Sequence, residues 1–162
     1  MRLIYWGVIM IVVIFTIFVI EQKTGIFDYA HIAHCTGTDV YTPVSEDELI
    51  KIVSNTWPRK ICIAGAKYSH GGQTMLDNAV QIDMRRMNKM VLLNQTSILV
   101  EAGATWKEVL TYLDQFGLSV AEMQSYSNFS VGGSISVNCH GRGINFGTVS
   151  DIFDNPDETN CS

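Results

Sequence analysis

The sequence predicts an α+β fold, and three observations predict it. Helix-capping patterns occur twice, and short strand-like apolar runs bounded by turn residues lie between them. The first of two glycine-rich loops leads into a strand, whereas the glycine loop of a Rossmann unit opens a helix. The chain contains neither a G-x-G-x-x-G nor a P-loop motif. The sequence therefore excludes the two commonest phosphate-binding folds.

The first half of the domain begins with a strand over residues 40–43. Ser45 and Glu48 then form a capping box, which predicts a helix that ends before Pro58. A short apolar strand over residues 61–64 follows the helix and runs directly into the first glycine loop.

Three further strands and a second helix follow the first glycine loop. The strands are predicted over residues 80–84, 90–93 and 97–102. Thr105 and Glu108 form a second capping box. The helix that they open closes at Gly117, and its inward face is predicted to carry Val109, Leu110, Leu113 and Phe116.

The length of 162 residues allows one modest domain and an N-terminal segment. The formal net charge is -5 and Lys and Arg are not clustered, which argues against nucleic-acid binding. Leu3–Ile20 contains no charged residue and would span about 27 Å as a helix, close to the thickness of a bilayer core. We expect residues 1–23 to be a transmembrane anchor. A cleaved signal peptide is the alternative, but no small-x-small site follows the apolar run.

The expected division of the chain continues with a linker over residues 24–38, a domain over 39–152 and a disordered acidic tail over 153–162. Charge around the anchor favours a single-pass membrane protein with its N-terminus inside. His31, His34 and Cys35 lie close together in the linker, but no second half-site accompanies them. We expect no metal site.

Two glycine-rich segments carry the candidate function, residues 65–74 and Ser130–Gly141. Glycine lacks a Cβ, so the backbone can press its N–H groups close against a ligand. Such segments suit a strand-and-turn wall beside a flat or anionic cofactor. The alternatives are an ordinary turn at Gly132 and Gly133, and a structural role for His140.

Four ordered segments carry a family resemblance: residues 63–73, 100–106, 117–119 and 129–147. They resemble the FAD-binding domain of the vanillyl-alcohol-oxidase / p-cresol-methylhydroxylase (PCMH-type) superfamily, nearest its sugar-lactone and alditol oxidases. The resemblance implies an incomplete PCMH-type FAD-binding fold, with the first subdomain and the start of the second, preceded by one transmembrane helix.

The resemblance also implies the cofactor-binding residues. The pyrophosphate loop would comprise Gly65, Ala66, Lys67, Tyr68, Ser69 and His70, and Gly71 and Gln73 would also bind the cofactor. The flavin wall would comprise Ser130, Val131, Gly132, Gly133, Ser136, Asn138, His140 and Gly141. Some relatives attach the flavin through a histidine where this chain has Tyr68, so we expect non-covalent FAD. Lys67 stands where the family often has arginine and could add positive charge.

The implied function is the FAD-binding portion of a membrane-anchored oxidoreductase acting on a small CH–OH substrate, such as a sugar lactone or a polyol. In relatives, the residues that act on the substrate lie mostly in a later domain, so no catalytic residue is assigned. The likeness ends at Ile152, which suggests a truncated chain. The alternatives are therefore a chain active only with a complementing C-terminal polypeptide, and a non-catalytic fragment or partner module.

Overall fold

The structure is a computed structural model, and it describes residues 25–144 and 147–149. The first strands are β1 (Ile26–Phe27), β2 (His34–Cys35) and β3 (Asp39–Tyr41), followed by helix α1 (Glu46–Thr56), β4 (Ile61–Ala64) and β5 (Val80–Asp83). After a 3-10 turn at Met84–Arg86 come β6 (Met90–Leu92), β7 (Ile98–Val100), α2 (Trp106–Asp114) and α3 (Val131–Ser136).

A parallel sheet of three strands positions the first glycine loop. β5 lies between β3 and β4, and all four of its residues are buried. Ala64 at the end of β4 pairs with Asp83 at the end of β5. Because parallel strands end at the same edge of a sheet, the loop after β4 begins beside the side chain of Asp83.

The remaining strands form two antiparallel pairs, β1 with β2 and β6 with β7. All the strands predicted between residues 40 and 102 are confirmed, although several end a residue or two earlier than expected. Tertiary packing determines where a strand ends, and apolar patterning does not capture it.

Both predicted helices are confirmed, but their caps differ. At α2 the box is reciprocal: the N–H of Thr105 donates to Glu108 Oε2 at 2.7 Å, and the N–H of Glu108 donates to Thr105 Oγ1 at 3.3 Å. At α1 the Ser45 hydroxyl accepts from the N–H of Glu48 at 3.3 Å, whereas Glu48 Oε2 accepts from Val44 rather than from Ser45. The first box is therefore only half formed.

The hydrophobic core packs α2 against α3. Its buried members are Ala104, Trp106, Val109, Leu113, Val131 and Val149. Val109 and Leu113 face inward as predicted, and Gly117 takes the left-handed conformation (φ 69°) that ends the helix. Phe116 is 51% exposed, so its predicted inward position is wrong. It follows the end of α2 and no longer lies on that helix's buried stripe.

The predicted strand-and-turn wall at residues 130–141 is wrong in its first half, because Val131–Ser136 is helical. The N–H groups of Val131 and Gly132 donate to the carbonyl oxygens of Ala104 and Ala102 at 2.8 and 2.9 Å. A Cβ at Gly132 would lie 2.8 Å from the Cβ of Ala102. Gly132 thus allows close packing of α3, and the ordinary-turn alternative at this position is also wrong.

The predicted fold class is also corrected in its transmembrane helix. Across residues 25–144 and 147–149, no helix has the length and apolar character needed to cross a bilayer. The expected span Leu3–Ile20 lies outside these residues, as does the expected tail over 153–162. The described residues form the three-stranded parallel sheet, the two antiparallel strand pairs and helices α1 to α3.

Candidate cofactor-binding site

Unpartnered backbone amides distinguish the loop that follows β4. Within the described part of the chain, the N–H groups of residues 67–70 have no hydrogen-bond partner. The flanking amides are held: that of Ala66 donates to Ser130 Oγ at 3.3 Å, and that of Gly71 donates to Asp28 Oδ2 at 2.8 Å. Four consecutive donors therefore lie between two anchored ends.

Left-handed backbone conformations curve this loop. Lys67 has φ 62°, and Gly71 and Gly72 have φ 77° and 79°. A Cβ at Gly65 would overlap the hydroxyl of Ser130, so only glycine allows this approach. A curved run of backbone N–H groups is a known anion-binding geometry.

A buried carboxylate lies beneath the loop. Asp83 is 1% exposed and accepts hydrogen bonds from Lys67 Nζ at 2.8 Å and from Arg85 Nη2 at 2.6 Å. Burial raises the pKa of the Asp83 carboxyl, but the hydrogen bonds from Arg85 and Lys67 outweigh it and hold that pKa at about 2. The Lys67 ammonium is thus paired with Asp83. That it adds charge toward a ligand stays a prediction.

The second glycine segment meets the first at Ser130. Ser130 is 3% exposed and contacts Gly65 and Ala66, and the ring of Phe129 lies 5.3 Å from that of Tyr68. The structure therefore brings together the start of both predicted groups of residues. The contact spans 64 positions of sequence, which local patterns do not reveal.

Other predicted wall residues divide between packing and exposure. Val131 lies in the core, and Gly141 lies so close to Glu122 that a Cβ there would overlap its carboxylate. Gly133, Ser136, Asn138 and His140 are exposed, as are His70, Gly71 and Gln73 in the first loop. His140 Nδ1 lies 3.1 Å from the carbonyl oxygen of Gly141, a local contact that leaves its role open.

Sequence reasoning missed an aromatic cluster around Tyr68. Its ring lies 4.9 Å from that of Tyr29 and 5.3 Å from that of Tyr126. The hydrogen bond with Tyr126 raises the pKa of the Tyr68 hydroxyl and lowers that of Tyr126. Asn128 Nδ2 also donates to the Tyr126 hydroxyl at 3.1 Å. The closeness of Tyr126 and Phe129 in the sequence is the only local signal that could have suggested this cluster.

Comparison with known families gives the site a context. A family model described as an FAD binding domain matches residues 39–155 of the chain. The chain belongs to this family of PCMH-type FAD-binding domains. The resemblance inferred from its glycine loops is confirmed.

Known relatives of this FAD-binding domain are flavin oxidoreductases. The chain is 25% identical over 120 residues to L-gulonolactone oxidase of Mus musculus, and the match covers 72% of this chain and 27% of that protein. It is 30% identical over 118 residues to the mitochondrial D-lactate dehydrogenase (cytochrome) of Arabidopsis thaliana, covering 69% of this chain and 21% of that protein. The chain thus spans about a quarter of the length of these relatives.

A solved structure supports the fold independently. A mutant of cholesterol oxidase from Brevibacterium sterolicum superposes with a TM-score of 0.63 at 20% identity, covering 72% of this chain and 24% of that one. At that identity the likeness shows the fold alone.

The residues present in the FAD-binding domain fit a dinucleotide. The open amides of residues 67–70 can donate to a pyrophosphate, and Gly65 allows the Ser130 hydroxyl to lie against the start of this loop. FAD as the cofactor class is confirmed, whereas the mode of attachment stays a prediction.

Proposed function

We propose that this chain supplies the FAD-binding part of an oxidoreductase that oxidises a CH–OH group in a small substrate, such as a sugar lactone or a polyol. The named relatives support the substrate class, because gulonolactone and lactate both carry hydroxyl groups on carbon. Bound FAD would accept a hydride from such a carbon. This chain's own contribution is to bind and orient the cofactor.

The observation that carries the proposal is the run of four unpartnered amides in residues 67–70. The FAD pyrophosphate carries two negative charges, and charge-assisted hydrogen bonds from backbone N–H groups are stronger than neutral ones. The loop is anchored at both ends, so little conformational entropy is lost when it binds.

The neighbouring residues have distinct roles in this proposal. Ser130 holds the loop against the second glycine segment through its bond to Ala66. The exposed residues Gly133, Ser136, Asn138 and His140 would flank the cofactor beyond that contact. Asp83 holds the Lys67 side chain, which ties the loop to the end of strand β5.

The loop's role is tested with Ser69→Pro in the full chain, which removes one open amide. Ser69→Ala is the matched control, because it removes the hydroxyl but keeps the N–H. A hydrogen bond to a charged group contributes about 1.5–3 kcal/mol, so Ser69→Pro should weaken FAD binding by at least about tenfold. Binding is measured by titration of flavin fluorescence.

Gln95→Pro provides a second control for the backbone change. Gln95 lies in the exposed turn between β6 and β7, and its N–H has no bond to any described residue. This variant and Ser69→Ala should bind FAD like the wild type. Equal FAD affinity in Ser69→Pro and in the wild type would refute the loop assignment, and a wild type that binds no FAD would refute the proposal as a whole.

Non-covalent attachment is also part of the proposal. Tyr68 cannot form the histidyl bond known from some relatives, and His70 instead lies beside Tyr29, with 5.4 Å between ring centroids. Acid denaturation of the FAD-loaded protein should therefore release all of its flavin. Flavin that remains with the precipitate in the wild type but not in His70→Ala would show a covalent bond to His70.

A further inference from the structure

The β1–β2 hairpin lies ahead of the residues that match the family, yet it contacts the candidate cofactor loop. The N–H of Tyr29 donates to the carbonyl oxygen of Ser69 at 3.3 Å. The Tyr29 ring lies 4.9 Å from Tyr68 and 5.4 Å from His70. A Cβ at Gly72 would lie 3.4 Å from that of Ala33. The hairpin thus packs along one side of the loop.

Asp28 connects the hairpin to the loop through its two carboxylate oxygens. Oδ1 accepts from the N–H groups of Ile32 and Ala33 at 2.9 and 3.2 Å, which closes the hairpin turn. Oδ2 accepts from the N–H of Gly71 at 2.8 Å, across 43 positions of sequence. Asp28 is 6% exposed, so water competes little for these bonds.

The bond between Asp28 and Gly71 lies at one end of the run of open amides. Gly71 is the residue directly after the four open amides, and its backbone is left-handed (φ 77°), which glycine adopts without steric cost. The other end of the loop is anchored at Ala66 by Ser130. Without the Asp28 bond, Gly71 would no longer be held, and among the described residues the backbone of the loop beyond Lys67 would be tied only through the Ser69 carbonyl, which accepts from Tyr29. The nearest open amides would then vary more in direction.

We propose that Asp28 is a positioning residue for the cofactor loop: its carboxylate holds Gly71 so that the amides of residues 67–70 are preorganised to receive a pyrophosphate. The inference rests on the proposed function of the loop. The backbone bonds to Asp28, that of Gly71 first, lower the pKa of its carboxyl, so Asp28 is ionised at neutral pH and accepts from all three amides.

The test uses Asp28→Asn in the full chain, which keeps one acceptor oxygen. The hairpin turn needs two bonds and is expected to take that oxygen, which leaves an NH₂ group facing Gly71. The matched control is Asp77→Asn. Asp77 Oδ1 also joins the hairpin segment to residues 65–78, because it accepts from the N–H of Thr36 at 2.7 Å, but it lies outside the loop.

The first measurement is hydrogen exchange of single amides without FAD. Exchange at the Gly71 amide rises in any case once its bond to Asp28 is lost. The informative amide is that of Ala66, because it bonds to Ser130 and not to Asp28. If Asp28 positions the whole loop, exchange at Ala66 rises about tenfold in Asp28→Asn and stays unchanged in Asp77→Asn. A change confined to Gly71 overturns the proposal.

The second measurement is the rate of FAD release after dilution, followed by the recovery of flavin fluorescence. We expect release about tenfold faster in Asp28→Asn, with the wild-type rate in Asp77→Asn. Equal release rates in Asp28→Asn and the wild type overturn the positioning role. If the wild type binds no FAD, the proposed function fails, and the exchange at Ala66 alone decides the role of Asp28.

Discussion

Replacing Asp83 with asparagine tests whether the buried carboxylate stabilises the fold beneath the cofactor loop. The pKa of this carboxyl falls from 3.8 to about 2 on folding. Such a fall corresponds to about 2 kcal/mol of stability at neutral pH. The side chains of Lys67 and Arg85 are 33% and 53% exposed, so solvent screening reduces the expected value to about 1–2 kcal/mol.

The pH dependence gives this prediction its sign. Because the pKa of Asp83 is lower in the folded state, its contribution is complete above the unfolded pKa and is lost as the pH falls toward about 2. About half of it should remain at pH 3. Asp83→Asn should therefore be destabilised by about 1–2 kcal/mol at pH 7 and by about half as much at pH 3.

The assay is denaturant unfolding of the full chain at both pH values. Asp114→Asn is the control, because Asp114 is exposed at the end of α2 and should change stability by less than about 0.5 kcal/mol. Lys67→Met should cost less in the Asp83→Asn background than in the wild type, because the pair is already broken there. An equal cost of Asp83→Asn at pH 7 and pH 3 would refute the reasoning.

Two further substitutions test the packing of α3 and the cap of α2. Gly132→Ala places a methyl group 2.8 Å from the Cβ of Ala102. The free energy of unfolding, measured by denaturant titration, should therefore fall by about 1–3 kcal/mol. An unchanged free energy of unfolding would show that α3 can shift freely. Thr105→Ala removes the hydroxyl that accepts from Glu108 and should cost about 1 kcal/mol. Thr111→Ala, inside α2 and exposed, is its control and should be neutral or slightly stabilising.

Short-range patterns predicted most of the secondary structure. The capping pairs at Ser45 and Thr105 predicted both long helices, since a cap acts within four residues and its chemistry is written in adjacent positions. The same holds for strand β4 and for the glycine loop that follows it. Helix α3 was missed because small alternating residues resemble a strand, and only the close approach of Ala102 explains its glycine.

The candidate site divides in the same way. The sequence predicted a glycine-rich cofactor loop over residues 65–74, and its family resemblance predicted FAD. The sequence did not predict that Asp83 captures the Lys67 ammonium, that Asp28 holds Gly71, or that Ser130 meets Ala66. The predicted strand-and-turn conformation at residues 130–141 was wrong in its first half for the same reason, because Val131 packs in the core and Gly132 packs against Ala102 within a helix. The cofactor-binding roles of these residues stay a prediction.

By itself, the sequence determined the order of the elements from β3 to α2 and the cofactor family, because both follow from residues that are neighbours along the chain. The tertiary structure alone decided which amides stay open and which charges are neutralised. Those outcomes depend on pairs such as Asp28 with Gly71 and Ala66 with Ser130, which lie 43 and 64 positions apart. No local pattern encodes such a pair, because its geometry exists only once distant segments of the chain have folded against one another.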